Sequence, residues 1–447
     1  MIAKLKKIVR EKNFSSLMTN MVVAALGLIS FMLLTRQLPK QVFGDWVLFV
    51  TLATFVDLLR FGLTRTSVVR LLSAADEKTF KILLGSSYRI NLKLLVILSA
   101  LCWGCWGVLT AVGKPIMAGY ELFLLWYPLL AVANLGWNTA SALFQAEQNF
   151  ERMMWVRLAN IGLFVLFLIG NWVWWSFGVE VLIWVYLGVN MLSSTWCTLS
   201  RWDGLWFLRF AEKSTEKELI NFGKYSMGTL IGSSLLRSAD TFIIGLSPVL
   251  GSAGIAIYAI PLKLTDLLGI PLRSFTMTAY PRMSKKFIEA DLPAVRKLFY
   301  TYTGAITLLF IPVAIGCFFL AEELVLFLGG DEYKDQLPLL TLIFRIFTLY
   351  TLLLPLDRFT GVLLDSIDKP RLNLYKVIVM TTANIAVDCL AVFYFESLVG
   401  VAIGTVVFTI IGLFLGLYFL KREIQVKSRH IVTDSLHFIK NVGQLVS

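Results

Sequence analysis

The sequence predicts an all-α, polytopic membrane protein with about twelve transmembrane helices. Three observations carry that expectation. Of its 447 residues, 57% are hydrophobic and only 16% are charged, too little polar surface for a soluble chain of this length. The apolar residues fall in blocks of about 20, enough to cross a hydrocarbon core at 1.5 Å per residue. The basic residues concentrate in alternate loops, as expected for a chain that crosses the membrane repeatedly.

The expected spans are roughly 14–36, 43–63, 86–112, 119–146, 155–177, 179–200, 220–246, 254–277, 298–321, 336–363, 372–395 and 398–420. Pro39, Pro115, Gly178 and the pair Ser247-Pro248 punctuate connections on one side. One set of loops holds Lys4, Lys6, Lys7, Arg10 and Lys12, then Arg60, Arg65, Arg70, Lys78 and Lys81. It continues through Arg152 and Arg157, Arg201 and Lys224, Arg282 and Lys297, Lys369, Arg371 and Lys376, and the tail from Lys421. The opposite loops hold Arg36, Lys40, Lys114 and Lys334. The first set is therefore expected in the cytoplasm, with both termini, in an inner (plasma) membrane. The basic start runs into a full-length apolar span with no small-residue cleavage site, so no cleavable signal peptide is expected.

The net charge of +12 lies on these loops and does not point to nucleic acid. The five cysteines all sit in apolar blocks, and Cys102 and Cys105 are flanked by Trp103, Gly104 and Trp106. Packing is the better reading of that C-x-x-C spacing than metal or redox chemistry. Both histidines, His430 and His437, are in the tail, so no embedded histidine base or metal site is expected.

The domain expectation is an N-terminal lobe of six spans over 1–200, a cytoplasmic linker over 201–219, a C-terminal lobe of six spans over 220–420, and a tail over 421–447. Thr215 and Glu218 have capping-box spacing, which starts a helix before Leu219. An internal echo supports two lobes: Pro39 is followed by Asp57-Leu58-Leu59, and Pro248 by Asp266-Leu267-Leu268 at the same offset. In the tail, Val432, Leu436, Ile439 and Val442 recur at helical spacing. They fit a helix on the membrane surface or a frayed soluble end equally.

Ionisable residues inside spans carry the functional information, because each costs several kcal/mol unless it faces water or a partner. They are Arg237, Lys263, Arg273, Arg345 and Arg358, with Asp57, Asp240, Asp266, Asp357 and Asp388. Arg237 and Asp240 share a helix face. Lys263, Asp266 and Arg273 fall within about 80° of one helix, at 100° per residue. Two intrahelical pairs, Arg237–Asp240 and Lys263–Asp266, would account for four of these charges and leave Arg273 and Arg345 without local partners. The other reading is a water-filled cationic cavity lined by Arg237, Lys263, Arg273 and Arg345, with Asp57 and Asp266 as its acids. Such a cavity suits an anionic substrate, above all a phosphate held by arginine forks.

Two stretches resemble a known family. Leu34-Thr35-Arg36-Gln37-Leu38 with Val42-Phe43-Gly44-Asp45-Trp46, followed by Leu58-Leu59-Arg60-Phe61-Gly62-Leu63, looks like the opening of bacterial oligosaccharide flippases. Arg237-Ser238-Ala239-Asp240-Thr241-Phe242-Ile243-Ile244-Gly245, with Gly254, Tyr258 and Pro261, is similar to that family's seventh and eighth helices. The family belongs to the multidrug/oligosaccharidyl-lipid/polysaccharide (MOP) superfamily, with a MATE-like fold.

The resemblance implies two six-helix lobes that rock around a central cavity. The cargo it implies is an oligosaccharide on undecaprenyl diphosphate, for surface polysaccharides such as O-antigen or exopolysaccharide. Membrane lipids and polysaccharide assembly enzymes are the implied partners. No resident cofactor is implied; if transport is coupled, Na+ or H+ would be the coupling ion. Some relatives are thought to hold sodium among helices 7, 11 and 12; here Asp240, Asn384, Asp388, Thr405 and the Val401 carbonyl match. Helix-to-helix hydrogen bonding remains the alternative for Asn384 and Asp388. Two other functions are weighed. A drug/cation antiporter should line its cavity with acids rather than arginine. A polysaccharide polymerase or ligase should carry a large outer loop, which is absent from the expected topology, so a non-enzyme is expected.

Overall fold

The computed structural model describes residues 12–72 and 75–426. The expected tail helix lies beyond these. The helices are α1 Lys12–Gln37, α2 Lys40–Leu72, α3 Glu77–Ala111, α4 Ala118–Ala133, α5 Leu135–Ala146, α6 Phe150–Gly170 and α7 Val179–Leu199. They continue with α8 Lys213–Gly245, α9 Gly251–Ile288, α10 Leu292–Phe319, the short α11 Ala321–Gly329, α12 Leu337–Ser366, α13 Pro370–Phe393 and α14 Leu398–Ile424. Among the described residues, nine helices are long and apolar enough to span a membrane, and the pair α4 and α5 makes a tenth. With α1 and α8, every one of the twelve expected spans coincides with a helix, and the protein is a multi-pass membrane protein.

Polar caps set several starts. Asp76 accepts a hydrogen bond from the Thr79 amide at 3.1 Å, Asp291 from Ala294 at 3.0 Å and Ser397 from Gly400 at 3.2 Å. The helix expected from the capping-box spacing of Thr215 and Glu218 begins earlier, at Lys213. One span departs from a simple rod. The segment expected as a single helix over 119–146 breaks at Asn134 and bends by 52°. Two carbonyls beside the break bond outside the helix: Arg60 Nη1 donates to Ala131 at 2.9 Å, and the Ser194 hydroxyl donates to Ala133.

The chain divides into two compact units. The first comprises residues 1–234 and 251–256. Within it α1 packs on α6, α2 on α4 and α5, and α3 on α4. The first turns of α9 also dock on α2: a Cβ on Gly44 would collide with the Ser252 main chain, and the Ser252 hydroxyl bonds Asp45. Only glycine permits so close an approach. The second unit comprises residues 235–250 and 257–447. There α14 packs against both α12 and α13, and α10 against α12. Its apolar core includes Phe299, Phe310, Phe359 and Leu363.

Candidate functional site

Two polar groupings lie within the second unit. The first is cationic. Arg237 of α8 reaches Asp266 of α9, with Nη2 3.4 Å from Oδ1, and Arg273 Nη2 approaches the same oxygen at 3.9 Å. Lys263, one turn before Asp266, lies within electrostatic reach of Asp266 and Arg237, and Arg358 of α12 within reach of Arg273. One carboxylate thus stands among four cations. The side chains are open: Arg237 is 54% exposed, Asp266 45% and Arg273 59%, which leaves guanidinium donors for another anion. Arg345 is engaged elsewhere: its Nε donates to the Phe318 carbonyl at 3.3 Å, and its guanidinium lies 5.2 Å from the centre of the Phe318 ring.

The second grouping is buried and acidic. Asp240 of α8 turns away from Arg237, although the two are three residues apart. Its Oδ2 accepts hydrogen bonds from the Tyr258 hydroxyl at 2.5 Å and the Thr405 hydroxyl at 3.4 Å. Its Oδ1 accepts from Asn384 Nδ2 at 3.2 Å, and the same amide donates to Asp388 Oδ2 at 2.7 Å. Asp240 and Asp388 are close enough to share a proton. Thr405 also lies 3.5 Å from the Val401 carbonyl. All five sequence-nominated residues, from α8, α13 and α14, therefore meet around one point, and Tyr258 of α9 joins them.

Asn384 and Asp388 are fully buried, and Asn384 Oδ1 and Asp388 Oδ1 have no hydrogen-bond partner. Two carboxylates in contact cannot both stay charged without a proton or cation between them. The two uncommitted oxygens, with the carboxylates, hydroxyl and carbonyl, form a hard-oxygen donor set that fits a sodium ion. The backbone of α14 packs closely against the site at Gly404. A Cβ on Gly404 would stand 3.3 Å from Asp388 Oδ1 and only 2.8 Å from Val387.

Two further buried charge pairs involve basic residues that the sequence reading assigned to loops. In the first unit Arg60 is buried. Its Nη2 sits 3.1 Å from Asp57 Oδ1, and Asp57 also accepts from Tyr127 at 3.1 Å and Asn134 at 2.7 Å. In the second unit Lys376 is buried. Its Nζ lies 2.6 Å from Asp357 Oδ1 and donates to the Asp357 carbonyl at 2.8 Å and the Thr360 hydroxyl at 2.9 Å. Both basic residues fall inside the expected spans 43–63 and 372–395. That position was the available signal against placing them in loops.

The chain resembles an inward-facing MATE-family multidrug resistance transporter of the MOP superfamily, at 16% identity and TM-score 0.74, over 92% of this chain and 99% of that one. It resembles the lipid II flippase MurJ in an inward closed conformation at 13% identity and TM-score 0.73, over 94% and 90%. A MOP superfamily transporter from Pyrococcus furiosus matches at 15% identity and TM-score 0.66, over 94% and 96%. These likenesses establish the MOP fold. No curated protein matches the sequence. The family described as "Polysaccharide biosynthesis protein" matches residues 33–338, and the chain belongs to it.

Proposed function

We propose that the protein is a flippase that carries undecaprenyl-diphosphate-linked oligosaccharide across the bacterial inner membrane, for assembly of a surface polysaccharide. The observation that carries this reading is the cationic group of Arg237, Lys263 and Arg273 around a single Asp266. Such a group is costly in lipid and belongs beside water and an anion. The planar guanidinium forks of Arg237 and Arg273 suit the oxygens of a diphosphate. Membership of a polysaccharide biosynthesis family supports a glycan cargo.

In this reading the two units expose the cationic group alternately to each side, with both termini in the cytoplasm. The residues bind and release the lipid-linked anion without breaking a covalent bond, so the protein is a transporter rather than an enzyme. A drug/cation antiporter fits less well, because its cargo would meet a surplus of positive charge. Sodium is the coupling cation: Asp240, Asp388, Asn384, Thr405 and the Val401 carbonyl would hold it.

The test is export of surface polysaccharide by Arg237→Ala, Arg273→Ala and the double variant, at matched protein levels. Each single change should reduce export, and the double should nearly abolish it. Export at the wild-type rate from the double variant would overturn the substrate role.

A further inference from the structure

We infer that Lys376 closes the carboxylate site of the second unit toward the basic-loop side, so that in the conformation described its cation exchanges only with the opposite face. The inference rests on the proposed cation site at Asp240 and Asp388. It adds a direction of access and a residue that enforces it.

Depth is the first observation. Asp240 is five residues before Gly245, the end of α8, and Asp388 is five before Phe393, the end of α13. Thr405 is seven residues after Leu398, which opens α14, and Tyr258 is seven after Gly251, which opens α9. All four helix ends face the side opposite the basic loops. At 1.5 Å per residue the site lies about 8–10 Å from them. The segments 241–257 and 389–404 contain no lysine or arginine, and their one charged residue is Glu396. A cation arriving from that side therefore meets no fixed positive charge on these segments.

The other direction is different. Twelve residues before Asp388 on α13, about 18 Å along the helix, stands Lys376. Its ammonium donates to two acceptors on α12, the Asp357 carbonyl and the Thr360 hydroxyl, and pairs with the Asp357 carboxylate, whose Oδ1 lies 2.6 Å away. These oxygens are what a dehydrated cation would need along the seam between α12 and α13, and the ammonium already occupies them. Thr360 itself donates to the Asp357 carbonyl at 2.7 Å. Above this layer Met380 is buried with its sulfur against Gly412, while a Cβ on Gly412 would stand 2.9 Å from Asp357 Oδ1. Gly416 packs on Thr360 in the same manner. The lysine layer is thus closely packed and already holds a covalently tethered cation beside its carboxylate, whereas among the described residues no lysine or arginine is paired with Asp240 or Asp388 in the ion pairs of the second unit.

The experiment measures 22Na+ binding to the purified full-length protein in detergent and to each face of sealed membranes, right-side-out and inside-out, without substrate. In detergent the wild type should bind 22Na+ and Asp388→Asn should not. In sealed membranes, binding from the basic-loop face should be at least tenfold slower than from the other face. The neutral pair Lys376→Met/Asp357→Asn should bind normally in detergent and lose this asymmetry. Lys376→Arg should keep it. Equal rates at the two faces of the wild type, with detergent binding intact, would overturn the inference and leave the cation site standing. So would persistent asymmetry in the neutral pair. Absence of wild-type binding in detergent would remove the cation site, and the inference with it.

Discussion

Replacing Lys376 with methionine removes one partner of a buried ion pair and leaves Asp357 without its counter-charge. Both side chains are almost wholly enclosed, at 3% and 10% exposed, so water cannot replace the ammonium. The structure assigns three interactions to Nζ, at 2.6, 2.8 and 2.9 Å. Breaking a buried pair from one side costs about 3–5 kcal/mol, mostly the cost of the stranded charge. Asp357→Asn alone strands the ammonium and should cost a similar amount. The neutral double variant keeps the volume and removes both charges, so it should fall within about 1 kcal/mol of wild type. Folding free energies from reversible unfolding in mixed micelles, followed by tryptophan emission, complete the double-mutant cycle. Single variants within about 1 kcal/mol of wild type, or a double variant whose loss equals the sum of the singles, would refute the pairing.

Two other outcomes follow from the structure and the proposed topology. A cysteine introduced at Asp335 should react with an impermeant thiol reagent applied to intact cells, and one at Lys213 should not; the reverse pattern would invert the topology. Glu216, in the first turn of α8, bonds Arg89 and lies 2.7 Å from Lys93. Burial pushes its carboxyl up, but the hydrogen bonds and charges of Lys93 and Arg89 outweigh this and hold it below its ordinary value of 4.5. A depressed carboxyl stabilises the fold above its unfolded value and loses that contribution as pH falls through the folded one. Glu216→Gln should therefore cost about 1–2 kcal/mol at pH 7, and the gap to wild type should close below pH 4.5; a pH-independent difference would exclude the charge pair.

The span pattern was legible because hydropathy and loop charge are properties of the chain itself. The break at Asn134 was not, because it depends on Arg60 and Ser194 reaching carbonyls from other helices. Local spacing showed which side chains could meet, but not which do. Arg237 and Asp240 share a face, yet Arg237 bonds Asp266 and Asp240 turns to Asn384 and Tyr258. The set Asp240, Asn384, Asp388, Val401 and Thr405 was within reach of the sequence through family resemblance, with the four-residue spacing of Asn384 and Asp388 in support. Tyr258 appears in the resemblance, but its role as a donor to Asp240 follows only from the packing of α9. Lys376 and Arg60 lie near span ends, where basic residues usually mark loops. Their burial depends on partners from other helices, Ala131 for Arg60 and Asp357 and Thr360 for Lys376, which a one-dimensional pattern does not reveal.

The shallow position of the carboxylate pair also fixes how membrane voltage would act on it. Five to seven residues from the helix ends is about a third of a 30 Å hydrocarbon core. A monovalent cation entering from that face would cross about a third of the electric field before it binds. At about 2.3 kcal/mol per charge per 100 mV, loading would gain only about 0.8 kcal/mol from such a potential. The remaining two thirds would be released on the way to the cytoplasm, in whichever step carries the ion past the level of Lys376. Voltage would then act mainly on the return of the loaded transporter and only weakly on ion affinity.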